Sequence, residues 1–274
     1  MTNSVMKKLF SAPFVAFILC GTLVPMGVIA WYGLTDRSGA FTVENVAAMF
    51  GGDHAKALGL SLALSLISTA ICLLLAFPLG LLLRDSGLGK KGFMVFLFIL
   101  PMWMNFLLRT MAWQVLLEKG GILNTILGAF GLPALEMINT PTAVVLGMVY
   151  DYLPFMVLPI YNALSKIDSS LIEAAYDLGA SKSVVLRRIL IPLSVPGIVS
   201  GVTMVFVPSL TTFAISNMLG GGKVNLIGNI IEQEFTSSSN WNLGSGLSLV
   251  MMIFIVISMA LIEKFDRNGE GNLI

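Results

Sequence analysis

Long apolar runs broken by short polar stretches dominate the chain. Apolar runs of about twenty residues fall near 13–33, 58–83, 93–113, 141–164, 192–218 and 244–262. A bilayer core ~30 Å thick takes ~20 residues of helix to cross. In lipid the backbone must also satisfy its own hydrogen bonds. The pattern therefore predicts an all-α integral membrane protein, a single transmembrane domain over 1–274 with six helices and both ends on one side. Lys7 and Lys8 followed by an apolar run have the form of a signal peptide, and Val28-Ile29-Ala30 resembles a cleavage site. The run exceeds the usual signal core of ~7–15 residues, so a retained helix is expected.

One stretch breaks the lipid-facing pattern. Between the fourth and fifth runs, over 165–191, lies a charged insert containing EAAYDLGASKSVVLRRILIP at 173–192. Ser170 and Glu173 have the spacing of a capping box, which predicts a helix start. Leu171, Ala174, Ala175 and Leu178 recur at i, i+3, i+4 and i+7, one apolar stripe. Gly179 fits a helix stop that needs positive φ. Ser181 can cap a second helix carrying Val185, Leu186 and Ile189, with Lys182, Arg187 and Arg188 on its other sides, and Pro192 then opens the fifth span. The expectation is a short helix–turn–helix at the membrane surface, small enough to enter a cleft on another protein.

Composition narrows the class. Of 274 residues, 56% are hydrophobic and 11% charged, and mean hydropathy is +0.89. A soluble domain carries about 25% charged residues. The net charge of +1 gives no electrostatic footprint for nucleic acid. Basic residues set the orientation. With the N-terminus inside, cytoplasmic segments hold Lys7, Lys8, Arg84, Lys90, Lys91, Lys166, Lys182, Arg187, Arg188, Lys264 and Arg267. The other side holds Arg37, Lys56, Arg109, Lys119 and Lys223. Both termini and the 165–191 insert are expected in the cytoplasm, with the longer connections near 34–57, 114–140 and 219–243 outside. Cys20 and Cys72 sit in apolar runs and form no metal or disulfide pattern. GLGKKG at 87–92 lacks the spacing of a phosphate-binding loop. His54 has only Asp53 near it and reads as a solvated loop residue. No nucleophile or metal constellation is present, so no enzyme activity and no bound cofactor are expected.

The insert carries a resemblance. Glu173-Ala174-Ala175, three residues, Gly179, nine residues, then Ile189-Leu190-Ile191-Pro192 is similar to the EAA motif of type I ABC importer permeases, EAA-x3-G-x9-I-x-L-P, with Ile191 in place of Leu. LPMWMNFLLRTMAW (100–113), GMVYDYLPFMVLPIYNALSKID (147–168) and SNMLGGGKVNLIGNIIEQEF (216–235) resemble segments of the spermidine/putrescine branch. The likeness covers roughly 58–260. It implies that Glu173, Ala174, Ala175, Asp177, Gly179, Arg187 and Pro192 belong to an ATPase-coupling hairpin. It implies a homologous second permease, two copies of an ATPase subunit that bind ATP and Mg, an external binding protein, and a polyamine substrate crossing a bacterial inner membrane. A permease for another small cationic or organic solute carries the same motif. A channel or secondary transporter needs no ATPase, and the EAA spacing opposes it.

Ionisable residues inside spans are costly and point to function. Asp151, flanked by Tyr150 and Tyr152, lies in the fourth span, and Arg109 lies near the outer end of the third. A carboxylate beside aromatic faces suits a polyammonium solute, and Trp103 and Asn105 could add a wall to the path. Alternatively, Asp151 and Arg109 neutralise each other. Glu232 and Glu234 could meet a binding protein or stand solvated. Gly197 and Gly201 allow a close helix approach, and Pro196 and Pro208 can kink the fifth helix.

Overall fold

The computed structural model describes residues 2–85, 96 and 100–271, with side chains from 13 to 264 within them. Lys90, Lys91 and the 87–92 loop lie outside these residues, as do the side chains of Lys7, Lys8 and Arg267. The described elements are α1 (Thr2–Gly33), α2 (Glu44–Ala47), α3 (Gly52–Asp85), α4 (Phe106–Leu117), α5 (Ile122–Ala129) and α6 (Pro141–Ser165). They continue with α7 (Ser169–Asp177), α8 (Lys182–Val185), α9 (Ile191–Thr211), α10 (Ala214–Gly220), α11 (Ile227–Thr236) and α12 (Trp241–Gly271). Among the described residues, five helices are long and apolar enough to cross a membrane: Pro13–Gly33, Gly52–Asp85, Pro141–Ser165, Lys182–Thr211 and Trp241–Lys264.

The apolar pattern and the helices differ at two places. The start of the expected 93–113 span lies outside the described residues. In its described part the chain forms a short 3-10 turn, Leu100–Trp103, and α4 begins only at Phe106. Asn105 causes the restart, because its side-chain oxygen accepts from Leu107 N at 2.9 Å and caps α4. The expected 192–218 span is likewise two helices. Thr212 is extended (φ −64, ψ 139), which ends α9 at Thr211, and α10 starts at Ala214. A buried amide holds this break. Asn229 Nδ2 donates to Phe213 O at 3.0 Å, while Asn229 Oδ1 accepts from Leu226 N at 2.9 Å and from the Ser216 hydroxyl. Apolar periodicity cannot see such a break, because both sides of it are equally apolar.

The chain divides into two compact units. The first comprises Met1–Lys56 and Ile230–Phe254. Here carbonyls at the end of α1 and in the turn that follows it, which lack intrahelical donors, meet side-chain amides. Asn242 Nδ2 lies 2.7 Å from Thr35 O and 3.1 Å from Tyr32 O, and Asn45 Nδ2 lies 2.9 Å from Thr35 O. Trp241 packs its ring against Tyr32 and Phe235. His54 is half-buried and its Nδ1 is 2.8 Å from Ala48 O, so it is tied to the backbone rather than solvated.

The second unit comprises Ala57–Asn229 and Ile255–Ile274, and α6 is its axis. One buried cluster joins Cys72, Ala76 and Leu83 of α3 to Met156, Val157, Ile160 and Leu164 of α6, with Val185, Leu190 and Val205. A second joins Leu64 and Leu117 to Val144 and Met148 of α6, with Ile215, Leu219 and Leu226. Asp151 sits on α6 between the two. The Gly197 and Gly201 positions are used for close packing of α9 on α6. A Cβ at Gly197 would stand 2.5 Å from Ala163 Cβ, and one at Gly201 would stand 2.7 Å from Met156 Sδ.

Candidate functional site

The hairpin over 165–191 begins where Lys166 ends α6. The capping box read at Ser170 and Glu173 is not what starts α7. Asp168 lies two residues ahead of Ser170 in extended backbone, and its carboxylate accepts from Ser170 N at 3.0 Å. That backbone bond, helped by the Ser170 hydroxyl, holds the Asp168 carboxyl below its ordinary value. Asp168 takes the donor that Glu173 would otherwise reach.

At the other end Gly179 has φ +81. Gly179 N donates to Tyr176 O at 2.9 Å and Ala180 N to Ala175 O at 3.0 Å. These two bonds are the complete Schellman stop, which requires the left-handed conformation at its glycine. Ser181 precedes α8 but its side chain makes no capping bond. Lys182 to Thr211 then run as one helix. Pro192 does not open a separate span. Over Leu186–Leu190 the helix widens to a π turn, with Ile191 N bonding to Leu186 O. A proline in a helix lacks its own N–H and clashes with the carbonyl four residues back, and the wider turn just ahead of Pro192 accommodates it.

The apolar stripe also faces differently from its reading. Ile172 and Ala175 turn inward, packing with Ile167, Ala180, Leu186 and Ile189 against the α3–α6 cluster. Leu171, Ala174 and Leu178 turn outward, and Leu178 is 90% exposed. A short helix on a surface has two apolar faces to place, and only one fits the core beneath it. Glu173, Asp177, Arg187 and Arg188 are exposed around the outward apolar face, and Pro192 is half-buried. Val185 and Leu190 anchor the second helix. Arg84, counted in the sequence only as a basic flank, donates to Ile167 O at 3.3 Å and ties α3 to the hairpin root.

A second polar site lies inside the helices. Arg109 Nη2 is 3.3 Å from Asp151 Oδ1, and the two residues are 7% and 3% exposed. Thr110, which the sequence did not single out, has Oγ1 3.0 Å from Asp151 Oδ2 and 2.9 Å from Phe106 O. A hydroxyl has one proton, so it donates to one of these at a time. Arg109 Nε, Arg109 Nη1, Asp151 Oδ1 and Ser209 Oγ are buried without a hydrogen-bond partner in the described chain. Tyr152 is half-buried, with its hydroxyl 3.4 Å from Pro208 O near the end of α9. Tyr150 is 38% exposed and stacks edge-on with Trp113, whose ring centroid is 5.3 Å away. Trp103 is 76% exposed and packs on Phe96. Asn105 is exposed and serves as the α4 cap. The structure therefore brings Arg109, Asp151 and Tyr152 together. Trp103 and Asn105 stay at the start of α4.

Of the two acidic residues read in the third external connection, Glu232 accepts from the Thr236 hydroxyl at 3.2 Å through its carboxylate. Outside the long helices, exposed Lys119 and Glu136 pair, which raises the ammonium pKa and lowers the carboxyl pKa. No group of three or more His, Cys, Asp or Glu that could hold a metal occurs among the described residues.

Residues 76–268 match the family described as binding-protein-dependent transport system inner membrane component. The chain is 35% identical to the spermidine/putrescine transport system permease protein PotB of Haemophilus influenzae, over 98% of both chains. It is 36% identical to PotB of Escherichia coli K12 over 83% of each. Among solved structures it resembles a chain of a bacterial ABC transporter for alginate import, with TM-score 0.83 at 15% identity, covering 97% of this chain and 96% of that one. A chain of the MetNI methionine ABC transporter matches with TM-score 0.53 at 20% identity, covering 79% and 94%.

Proposed function

The chain belongs to the family of binding-protein-dependent transport system inner membrane components, and from that premise we propose that it is a permease subunit of an ATP-driven polyamine importer. It does not hydrolyse ATP. It pairs with a homologous permease, two ATPase subunits and an external binding protein that delivers spermidine or putrescine. The hairpin and both termini face the cytoplasm of a multi-pass inner-membrane protein, in keeping with the basic residues of the flanks. The whole chain forms one permease domain, and ATP and Mg belong to the ATPase.

The observation that carries the reading is the EAA spacing realised as α7, a Schellman stop at Gly179, and a helix running unbroken from Lys182 to Thr211. The outward face of Leu171, Ala174 and Leu178 is an apolar knob sized for a groove on an ATPase. Glu173, Asp177 and Arg187 rim it, and Ala175 and Gly179 set its inner packing and its turn. The 30-residue helix is a strut of roughly 45 Å at 1.5 Å per residue. Closure of the ATPases pushes the knob, and the strut carries that push to the Thr211–Thr212 break beside Tyr152. The spans then rock around a central path by alternating access. Polyamine as substrate rests on the 35–36% identity to proteins named for spermidine/putrescine transport and on a buried carboxylate, Asp151, flanked in the sequence by Tyr150 and Tyr152. Trp103 and Asn105 line the approach at the start of α4.

The test is uptake by the reconstituted four-part importer. Labelled spermidine and putrescine should enter with ATP and binding protein, and should outcompete amino acids and sugars. An ATPase should copurify with the permease. Uptake without any ATPase would remove the coupling reading, and uptake of an uncharged solute in preference to polyamines would remove the substrate.

A further inference from the structure

Resting on the reading of Asp151 as part of a polyamine path, we propose that Arg109 is a tethered stand-in for the substrate. Its guanidinium holds the Asp151 carboxylate between cycles, and an ammonium group of the solute displaces it during transport.

The geometry of the pair is the first argument. Arginine locks a carboxylate best through two parallel N–H bonds. Here one nitrogen, Nη2, faces one oxygen at 3.3 Å, and Asp151 Oδ1 receives no hydrogen bond. Arg109 Nε and Nη1 are also buried without partners. A pair serving only to bind α4 to α6 would satisfy these donors, because unmet polar groups in a low-dielectric interior are expensive. The arrangement neutralises the charge while leaving the carboxylate open to another donor.

The surroundings supply the second argument. When the Thr110 hydroxyl donates to Asp151 Oδ2 rather than to Phe106 O, it orients the carboxylate whichever cation faces Oδ1. The end of α9 lies beside it: Tyr152 contacts Pro208 O, in the last turn before the Thr212 break. Helix C-termini carry unpartnered carbonyls and partial negative charge, which favour a cation. Arg109 itself is carried on a helix packed on one side only, since Phe106, Leu108, Met111 and Val115 of α4 are exposed. The guanidinium can swing on its flexible stem without unpacking a core.

Exchange of one cation for another also solves a problem of cost. A bare carboxylate within a membrane is unfavourable. If one cation leaves only as another arrives, Asp151 is never uncompensated, and the returning Arg109 helps eject the ammonium. The arrangement demands a primary or secondary ammonium, and it disfavours anions and neutral solutes.

Competition has a measurable signature. If Arg109 occupies Asp151 for ~90–99% of the time, the apparent affinity for the solute is reduced ~10- to 100-fold. Binding of labelled spermidine to the purified permease–ATPase complex, without binding protein or nucleotide, is compared in three forms. Arg109→Gln should bind ~10- to 100-fold more tightly than wild type, and turnover per assembled complex should fall because release is slowed. The double change Arg109→Gln, Asp151→Asn should lose the gain. Equal or weaker binding in an assembled Arg109→Gln complex overturns the proposal. Wild-type uptake of spermidine is measured alongside, so a failure of the polyamine reading shows there independently. If Arg109→Gln does not assemble, the wild-type complex decides. Phenylglyoxal modification of the peptide carrying Arg109, read by mass spectrometry, should rise with saturating spermidine, and no rise overturns the exchange.

Discussion

Replacing Gly179 tests coupling with little interference from packing. A Cβ built at this exposed residue meets nothing within 4 Å, so no steric overlap with neighbours contributes. What remains is the backbone, at φ +81. An L-residue in the left-handed region is disfavoured by roughly 1–2 kcal/mol, so Gly179→Ala should lower the equilibrium constant for the correctly turned hairpin by about 5- to 30-fold at 1.4 kcal/mol per decade. Asn tolerates this conformation and should cost least. Val, β-branched, is a severe outlier there and should give up the bonds to Tyr176 O and Ala175 O altogether. The expected order of coupled activity is Gly, Asn, Ala, Val. The assay is ATP hydrolysis stimulated by liganded binding protein in reconstituted complexes, with membrane insertion and copurified ATPase quantified in parallel. Insertion should be unchanged across the series, because the turn lies outside the long apolar helices. A Val variant that couples as well as wild type, or an Asn variant as damaged as Val, would refute the reasoning.

Three further outcomes are expected. Asp151→Asn leaves Arg109 buried and unpaired, which in soluble cores costs about 3–5 kcal/mol. Assembled complex should fall, and adding Arg109→Gln should restore assembly but not polyamine uptake; restored uptake would show that Asp151 only neutralises Arg109. Asp168 has its carboxyl lowered by the bonds from Ser170, so its support for α7 is present above the unfolded carboxylate pKa of ~3.9 and is lost as pH falls through the lower folded value. Amide-exchange protection of Ser170 should therefore hold from neutral pH to about pH 4 and drop below it, whereas Asp168→Asn should keep the cap without the drop. Gly197→Val puts a branched side chain where even a lone Cβ would stand 2.6 Å from Pro159 O. Overpacking of this kind costs about 1–3 kcal/mol, so thermal unfolding in detergent should come at lower temperature, and an unchanged midpoint would contradict the close approach of α9 to α6.

Much of this protein is determined locally and therefore readable along the chain. The apolar runs at 13–33, 58–83, 141–164 and 244–262 became long helices because lipid leaves the backbone no alternative partner. Gly179 was legible because a helix stop with positive φ has one favoured residue, and its spacing from Glu173 and Ile189 marked the hairpin. Choices among near-equal local options were settled only by tertiary packing. Asp168 and Glu173 both could cap α7, and the carboxylate already seated ahead of the first turn prevailed. Leu171 and Ile172 are both apolar, and the shape of the α3–α6 surface turned Ile172 inward. The breaks before α4 and after α9 depend on Asn105 and Asn229, single polar residues whose hydrogen bonds leave no trace in hydropathy. The meeting of Arg109 with Asp151, 42 positions apart in the chain, was one of two readings in the sequence. Its single 3.3 Å contact and unmet donors could come only from the packing of α4 on α6, because charge type is a property of residues whereas hydrogen-bond geometry is a property of the helices that carry them.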